Sequence, residues 1–219
     1  MSLEQSLLLN RYLHRQLGAD SLDELGNELA GVAEGADADG RSFFAKRLLS
    51  GTHRYADTDA FERYDARIME IEGRLAHARG GFSLKYFQYL ALLYTELYLD
   101  ALTGDPEALA ASLNAFRTDD LAFADLADIR ASDLRRMAYF MATGSGKTLL
   151  MHATLWQVGH YLEHGAHPEA LVVRADGRRE FDSIILVTPN EGLSRQHLGE
   201  LAARLGQARW VGGVGTEAG

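Results

Sequence analysis

With 219 residues, a hydrophobic fraction of 47% and a mean hydropathy of −0.17, the chain has the composition of a globular protein with one sizeable core or two modest ones. It has no cysteine, which excludes disulfides and thiolate metal sites, and its longest apolar candidate for a membrane span, Tyr89 to Leu102, is interrupted by Glu96 and Asp100. The net charge of −9 falls wholly in residues 1–135, whereas residues 136–219 carry 8 acidic and 8 basic side chains, so the first part suits nonspecific binding of nucleic acid poorly.

At the N-terminus, Glu4 stands where a signal peptide wants positive charge, and the expected location is cytoplasmic. Leu3, Leu7, Leu8 and Tyr12 repeat at helical spacing, predicting a helix from Leu3 to Leu17 that ends at Gly18. Ser21 and Glu24 have the spacing of a capping box for a helix over Leu22 to Ala30. The acidic, glycine-rich stretch Gly31 to Gly40 reads as a loop, and a short helix follows from Ser42 to Leu49. Residues 58–79 place Phe61, Tyr64, Ile68, Ile71 and Leu75 on one helical face, with Gly80-Gly81 as the stop. Ser83 is the expected cap of the most apolar helix, Leu84 to Leu102. Its stripes, Tyr86-Leu90-Leu93-Leu97 and Phe87-Ala91-Tyr94-Tyr98, together span too wide an arc for a surface helix. Asp105-Pro106 opens another helix as cap and first residue, and Asp119 to Arg130 is an amphipathic segment with Leu121, Leu126 and Ile129. Residues 1–131 are thus expected to form an all-α region.

The pattern changes at residues 132–219. A short apolar run, Met137 to Met141, predicts a strand; Thr143 to Gly146 is a glycine-containing loop; Lys147 to Leu162 has helical periodicity and ends near Gly165. Strand, loop and helix in this order are the layout of a phosphate-binding loop. Gly144 and Gly146 let the backbone curl around a phosphate, Lys147 adds a mobile positive charge for the β and γ phosphates, and the Thr148 hydroxyl suits Mg²⁺. The cofactor expected for Thr143, Gly144, Ser145, Gly146, Lys147 and Thr148 is therefore ATP with Mg²⁺, with Lys147 and Thr148 also the expected catalytic pair. Beyond it, Asp176-Gly177 between β-prone flanks predicts a hairpin over Leu171 to Phe181. Ser183 to Val187 predicts a buried strand, Leu193 to Leu205 a helix, and Arg209 to Val211 the start of another strand. Alternation of strand and helix implies an α/β fold with a parallel sheet.

The strict pattern G-x-x-x-x-G-K-[ST] wants Gly where Met141 stands. The run MATGSGKT, residues 141–148, instead resembles motif I of superfamily 2 helicases and translocases, in particular the motor subunits of type I and type III restriction enzymes. LVTPNEGLSRQH, residues 186–197, resembles motif Ia of the same group. The resemblance implies that residues 132–219 are the N-terminal part of a RecA-like ATP-binding domain. It further implies that Thr188, Asn190 and Arg195 touch DNA phosphates and that Gln88, upstream of motif I, reads the adenine. Duplex DNA and a methyltransferase or modification subunit are the implied partners. Hydrolysis in this superfamily needs an apolar strand ending in Asp-Glu, and none follows residue 190. The chain therefore reads as the N-terminal piece of a larger motor, the alternative being a nucleotide-binding interaction module that does not hydrolyse. His160, His164 and His167 have a spacing that can face a metal, but Gly165 and Pro168 interrupt the helix among them; solvated histidines near a helix C-terminus are the better account.

Overall fold

The most apolar helix of the sequence is the centre of the molecule. The computed structural model describes residues 6–51, 55–79 and 81–171, in which seven α-helices run in the order α1 (Leu8–Gln16), α2 (Leu22–Leu29), α3 (Phe43–Ser50), α4 (Thr58–Arg79), α5 (Tyr86–Gly104), α6 (Pro106–Asp119) and α7 (Lys147–His164). Short 3-10 turns lie at Leu121–Phe123, Ala131–Arg135 and Pro168–Ala170. Twelve of the 19 residues of α5 are buried, and α7 packs along it.

Two apolar clusters flank α5. The first joins Leu13, Leu25, Phe44, Phe61, Ile68 and Leu75 from α1 to α4 with Leu90, Leu93 and Leu97 of α5 and Leu149, Leu150 and Ala153 of α7. The second gathers Tyr98, Leu99 and Leu102 around Leu109 and Leu113 of α6, Leu134, Tyr161 and Ala170. Helix α7, placed by sequence in the second region, thus shares a core with the first. Each buried leucine contributes roughly 2 kcal/mol. Six of them on α5 outweigh the cost of burying a carboxylate in its middle: Glu96 is 0% exposed. That carboxylate accepts from Arg67 Nε at 2.8 Å and Nη2 at 2.6 Å, from Tyr161 Oη at 2.8 Å and from Gln157 Nε2 at 2.8 Å. One buried charge thereby ties α4, α5 and α7 together.

Local chemistry explains most helix starts. Ser21 Oγ accepts from Glu24 N at 3.2 Å, while the Glu24 carboxylate reaches Asp20 N at 2.8 Å. Asp57 caps α4 through Ala60 N at 2.9 Å, and Asp105 caps α6 through Ala108 N at 2.9 Å, with Pro106 at the first position. Helix α5 starts later than the sequence suggests. Leu84 is buried with its N–H given to Glu72 at 2.8 Å, so the chain turns into helix only after Lys85, whose N–H is accepted by Gln88 Oε1 at 3.0 Å. Asp119 to Arg130 is not a continuous helix. Asn114 grips the backbone of Ile129 through both ends of its amide, each at 2.8 Å, and Asp120 Oδ1 holds Ala122 N at 3.0 Å, so side chains replace helical bonds there.

The expectation of an α/β fold with a parallel-sheet, RecA-like domain over 132–219 is overturned: among the described residues there is no strand, only an isolated antiparallel bridge between Ala36 and Ser42. Met137 to Met141, predicted as a strand, has no ladder partner among the described residues. Its two ends pack on helices instead, while Phe140 between them is 62% exposed. Met137 packs on the second cluster and Met141 on the first, while the Tyr139 hydroxyl lies 2.6 Å from that of Thr95 on α5. The predicted hairpin after Leu171, the strands Ser183 to Val187 and Arg209 to Val211 and the helix Leu193 to Leu205 lie outside the described residues.

Candidate phosphate-binding loop

Helix α7 begins at Lys147, as its periodicity predicts, and the preceding turn is built on two glycines in left-handed conformation, Gly144 with φ +80° and Gly146 with φ +95°. Residues with a Cβ rarely adopt such angles. The Ala142 carbonyl is the hub of the turn: it accepts from Ser145 Oγ at 2.7 Å, from Ser145 N at 3.4 Å and from Lys147 Nζ at 2.8 Å. Lys147 is therefore folded back over its own loop. To meet a phosphate it exchanges one carbonyl oxygen for a charged one, a change that favours the phosphate.

The helix start supplies the rest of the site. The first intrahelical bond here is from Leu150 N to Gly146 O at 3.0 Å, so the N–H groups of Lys147, Thr148 and Leu149 have no acceptor within the helix. An 18-residue helix also brings roughly half a positive charge to this end. Leu149, Leu150 and Ala153 are buried in the first cluster, which fixes the direction of those N–H groups. Lys147, Thr143 and Gly144 are exposed and Thr148 is half-buried, leaving the amine and hydroxyl open to a ligand. The donor set fits the expected group: amide N–H and ammonium for phosphate oxygens, and one hydroxyl for a Mg²⁺ that takes its other oxygens from phosphate and water.

Gln88, expected to read adenine, sits beneath the loop. It is 6% exposed, and its Nε2 donates to the Ser145 carbonyl at 2.9 Å while Oε1 caps α5. An adenine contact would compete with both bonds. A Cβ on Gly146 would stand 2.6 Å from Gln88 Nε2, so this glycine is required by close approach as well as by φ. The brace was missed in the sequence; its signal is a glutamine at the third position of a helix whose first two turns are otherwise apolar. Beside the loop, a cavity of about 440 Å³ opens between α1, α5 and Met137 to Ala142, walled mainly by apolar side chains such as Leu9, Leu13, Leu90 and Tyr94 and reaching Ser145.

The remaining candidates fall elsewhere. Thr188, Asn190 and Arg195 lie outside the described residues. The rings of His160 and His164 meet at a tilt of 52° with centroids 4.7 Å apart, and burial together with the nearby Arg67 pushes the His160 imidazole below its ordinary value. His167 Nδ1 lies 3.0 Å from Glu169, and no group of three metal-ligating side chains occurs among the described residues. Comparison with protein-family models, with curated proteins and with solved structures returns no match, so the likeness to helicase motifs rests on residues 141–148 and 186–197 themselves.

Proposed function

We propose that Thr143 to Thr148 bind the phosphates of ATP as its magnesium complex, and that the chain is the ATP-binding segment of a DNA translocase of restriction-modification or phage-defence type. The observation that carries this reading is the turn itself: two left-handed glycines, a lysine and a threonine in sequence at the start of a long helix anchored in the core. The loop amides and Lys147 bind the β and γ phosphates, and Thr148 holds Mg²⁺. Thr188, Asn190 and Arg195 contact the backbone of duplex DNA, and a methyltransferase or modification subunit is the partner chain. The reading implies a cytoplasmic location; among the described residues no helix is long and apolar enough to cross a membrane. In the complete motor, ATP hydrolysis drives movement along DNA.

Titration calorimetry of MgATP against the wild-type chain and Lys147→Ala tests the site. Binding lost in the variant, with an unchanged circular dichroism spectrum, is expected; equal affinity removes the loop from the account. A second reading, a nucleotide-binding module that does no mechanical work, is favoured by the acidic balance of residues 1–135, 23 acidic against 14 basic side chains, which suits nucleic acid poorly. Steady-state ATP hydrolysis with and without duplex DNA separates the two. DNA-stimulated turnover belongs to the motor, and binding without turnover to the module.

A further inference from the structure

A nucleotide held by its phosphates at Thr143 to Thr148 still has a base to place, and Gln88 is engaged with Ser145 and with the start of α5. The cavity of about 440 Å³ beside the loop begins at the same turn, since Ala142 and Ser145 line its near end. Its far end is reached along α5: Gln88 holds Ser145, and Thr95, two turns further on, lies about 10 Å away at about 1.5 Å per residue. That is the order of the span of a purine nucleoside. The volume falls within the roughly 300–1,000 Å³ of small-molecule sites, and no charged side chain lines it, so the space suits a neutral, largely apolar group.

Aromatic rings and one amide narrow the choice. Phe87, Tyr139 and Phe140 line the cavity and are exposed, which leaves ring surface for a planar group to cover. An aliphatic chain would use the same apolar area but has nothing to offer the amide of Asn10. This residue stands with Leu9 and Leu13 on the part of α1 that lines the cavity, is half-buried, and makes no side-chain hydrogen bond among the described residues. Thr95 and Ser145, by contrast, already give their hydroxyls to backbone carbonyls. Leu9 packs with Met137 on the second cluster, which puts Asn10 towards the end away from Ser145, where the base of a nucleotide anchored at the loop arrives. An asparagine amide has a donor side and an acceptor side, the complement of N7 and the N6 amino group of adenine; guanine presents two acceptors, O6 and N7, at that edge. Given the MgATP reading of the loop, on which this rests, we infer that the cavity is the base subsite and that Asn10 selects adenine over guanine.

Titration calorimetry of the full chain with MgATP, MgGTP and magnesium tripolyphosphate is the test. ATP is expected to bind about tenfold more tightly than GTP, and about tenfold more tightly than tripolyphosphate, which has no base. Asn10→Ala should bring ATP down to the level of GTP, and Phe140→Ala should weaken both nucleotides. Neither variant should change the affinity for tripolyphosphate, which shows that the loop of each is still folded. Tripolyphosphate bound as tightly as ATP would overturn the base subsite and leave the phosphate loop in place. Failure of both ATP and tripolyphosphate to bind would remove the loop, and the subsite with it. ATP and GTP bound equally by the wild-type chain, or the full preference for ATP kept in Asn10→Ala, would overturn the assignment of Asn10.

Discussion

Replacing Gly146 by alanine should be markedly more damaging than replacing Gly144, although both glycines sit in the same left-handed region and only two residues apart. At Gly144 the backbone has φ +80° and a new Cβ meets nothing within 4 Å, so Gly144→Ala carries the conformational penalty alone, about 1–2 kcal/mol. At Gly146, with φ +95°, the same penalty applies, and the Cβ also lands 2.6 Å from Gln88 Nε2. Gln88 must then withdraw from the Ser145 carbonyl, which forfeits a hydrogen bond of 2.9 Å worth about 1 kcal/mol. The expected cost of Gly146→Ala is therefore about 2–3 kcal/mol. Urea unfolding followed by circular dichroism of the helices measures both variants. In a Gln88→Ala background the clash disappears while φ remains, so the Gly146→Ala cost should fall to about 1–2 kcal/mol, a coupling of about 1 kcal/mol between the two sites. Equal costs for the two glycines, or a coupling of zero, would refute the brace.

Two further outcomes follow from the buried polar groups. Arg67→Met leaves the Glu96 carboxylate, 0% exposed, with only the neutral donors Tyr161 and Gln157; a loss of about 3 kcal/mol is expected, or about 10 °C in a chain of this length by calorimetry. An unchanged melting temperature would show that the charge is not confined as described. Burial pushes the Tyr98 phenol from 10 up to about 12. A folded-state value above the unfolded one means that the folded chain keeps this proton between pH 10 and 12. Its contribution is therefore complete below pH 10 and is lost as pH rises towards 12, by about 3 kcal/mol in all. Stability of Tyr98→Phe, lower at neutral pH for want of the bond to Leu134, should fall less steeply over that range, and identical slopes for the two proteins would contradict the assignment.

Helix positions were legible because their signals are local. Asp105-Pro106 caps and opens α6, Ser21 accepts from the N–H group three residues on, and the wide apolar arc of α5 correctly demanded burial. What failed were inferences needing a distant partner. Met137 to Met141 is apolar enough for a strand, yet apolarity alone does not say whether the segment pairs with backbone or lies on helices, and here it packs on α5 through Tyr139 and Met141. Asp119 to Arg130 failed for a similar reason, since Asn114, outside the segment, supplies the bonds at Ile129. At the site, the left-handed glycines and the start of α7 were readable from GSGKT, because only a few residue types satisfy that turn. The role of Gln88 as a brace was not, since a glutamine on a buried helix carries no address for its partner 57 residues away.

The most direct test of the account is hydrogen exchange at the backbone amides of Gly144 to Leu149, measured with and without MgATP. If the loop cradles the phosphates, these amides become protected on binding, and tripolyphosphate with Mg²⁺ reproduces the protection without a base. Exchange unchanged at these residues while MgATP binds with full affinity would place the nucleotide elsewhere on the chain and contradict the assignment of the loop.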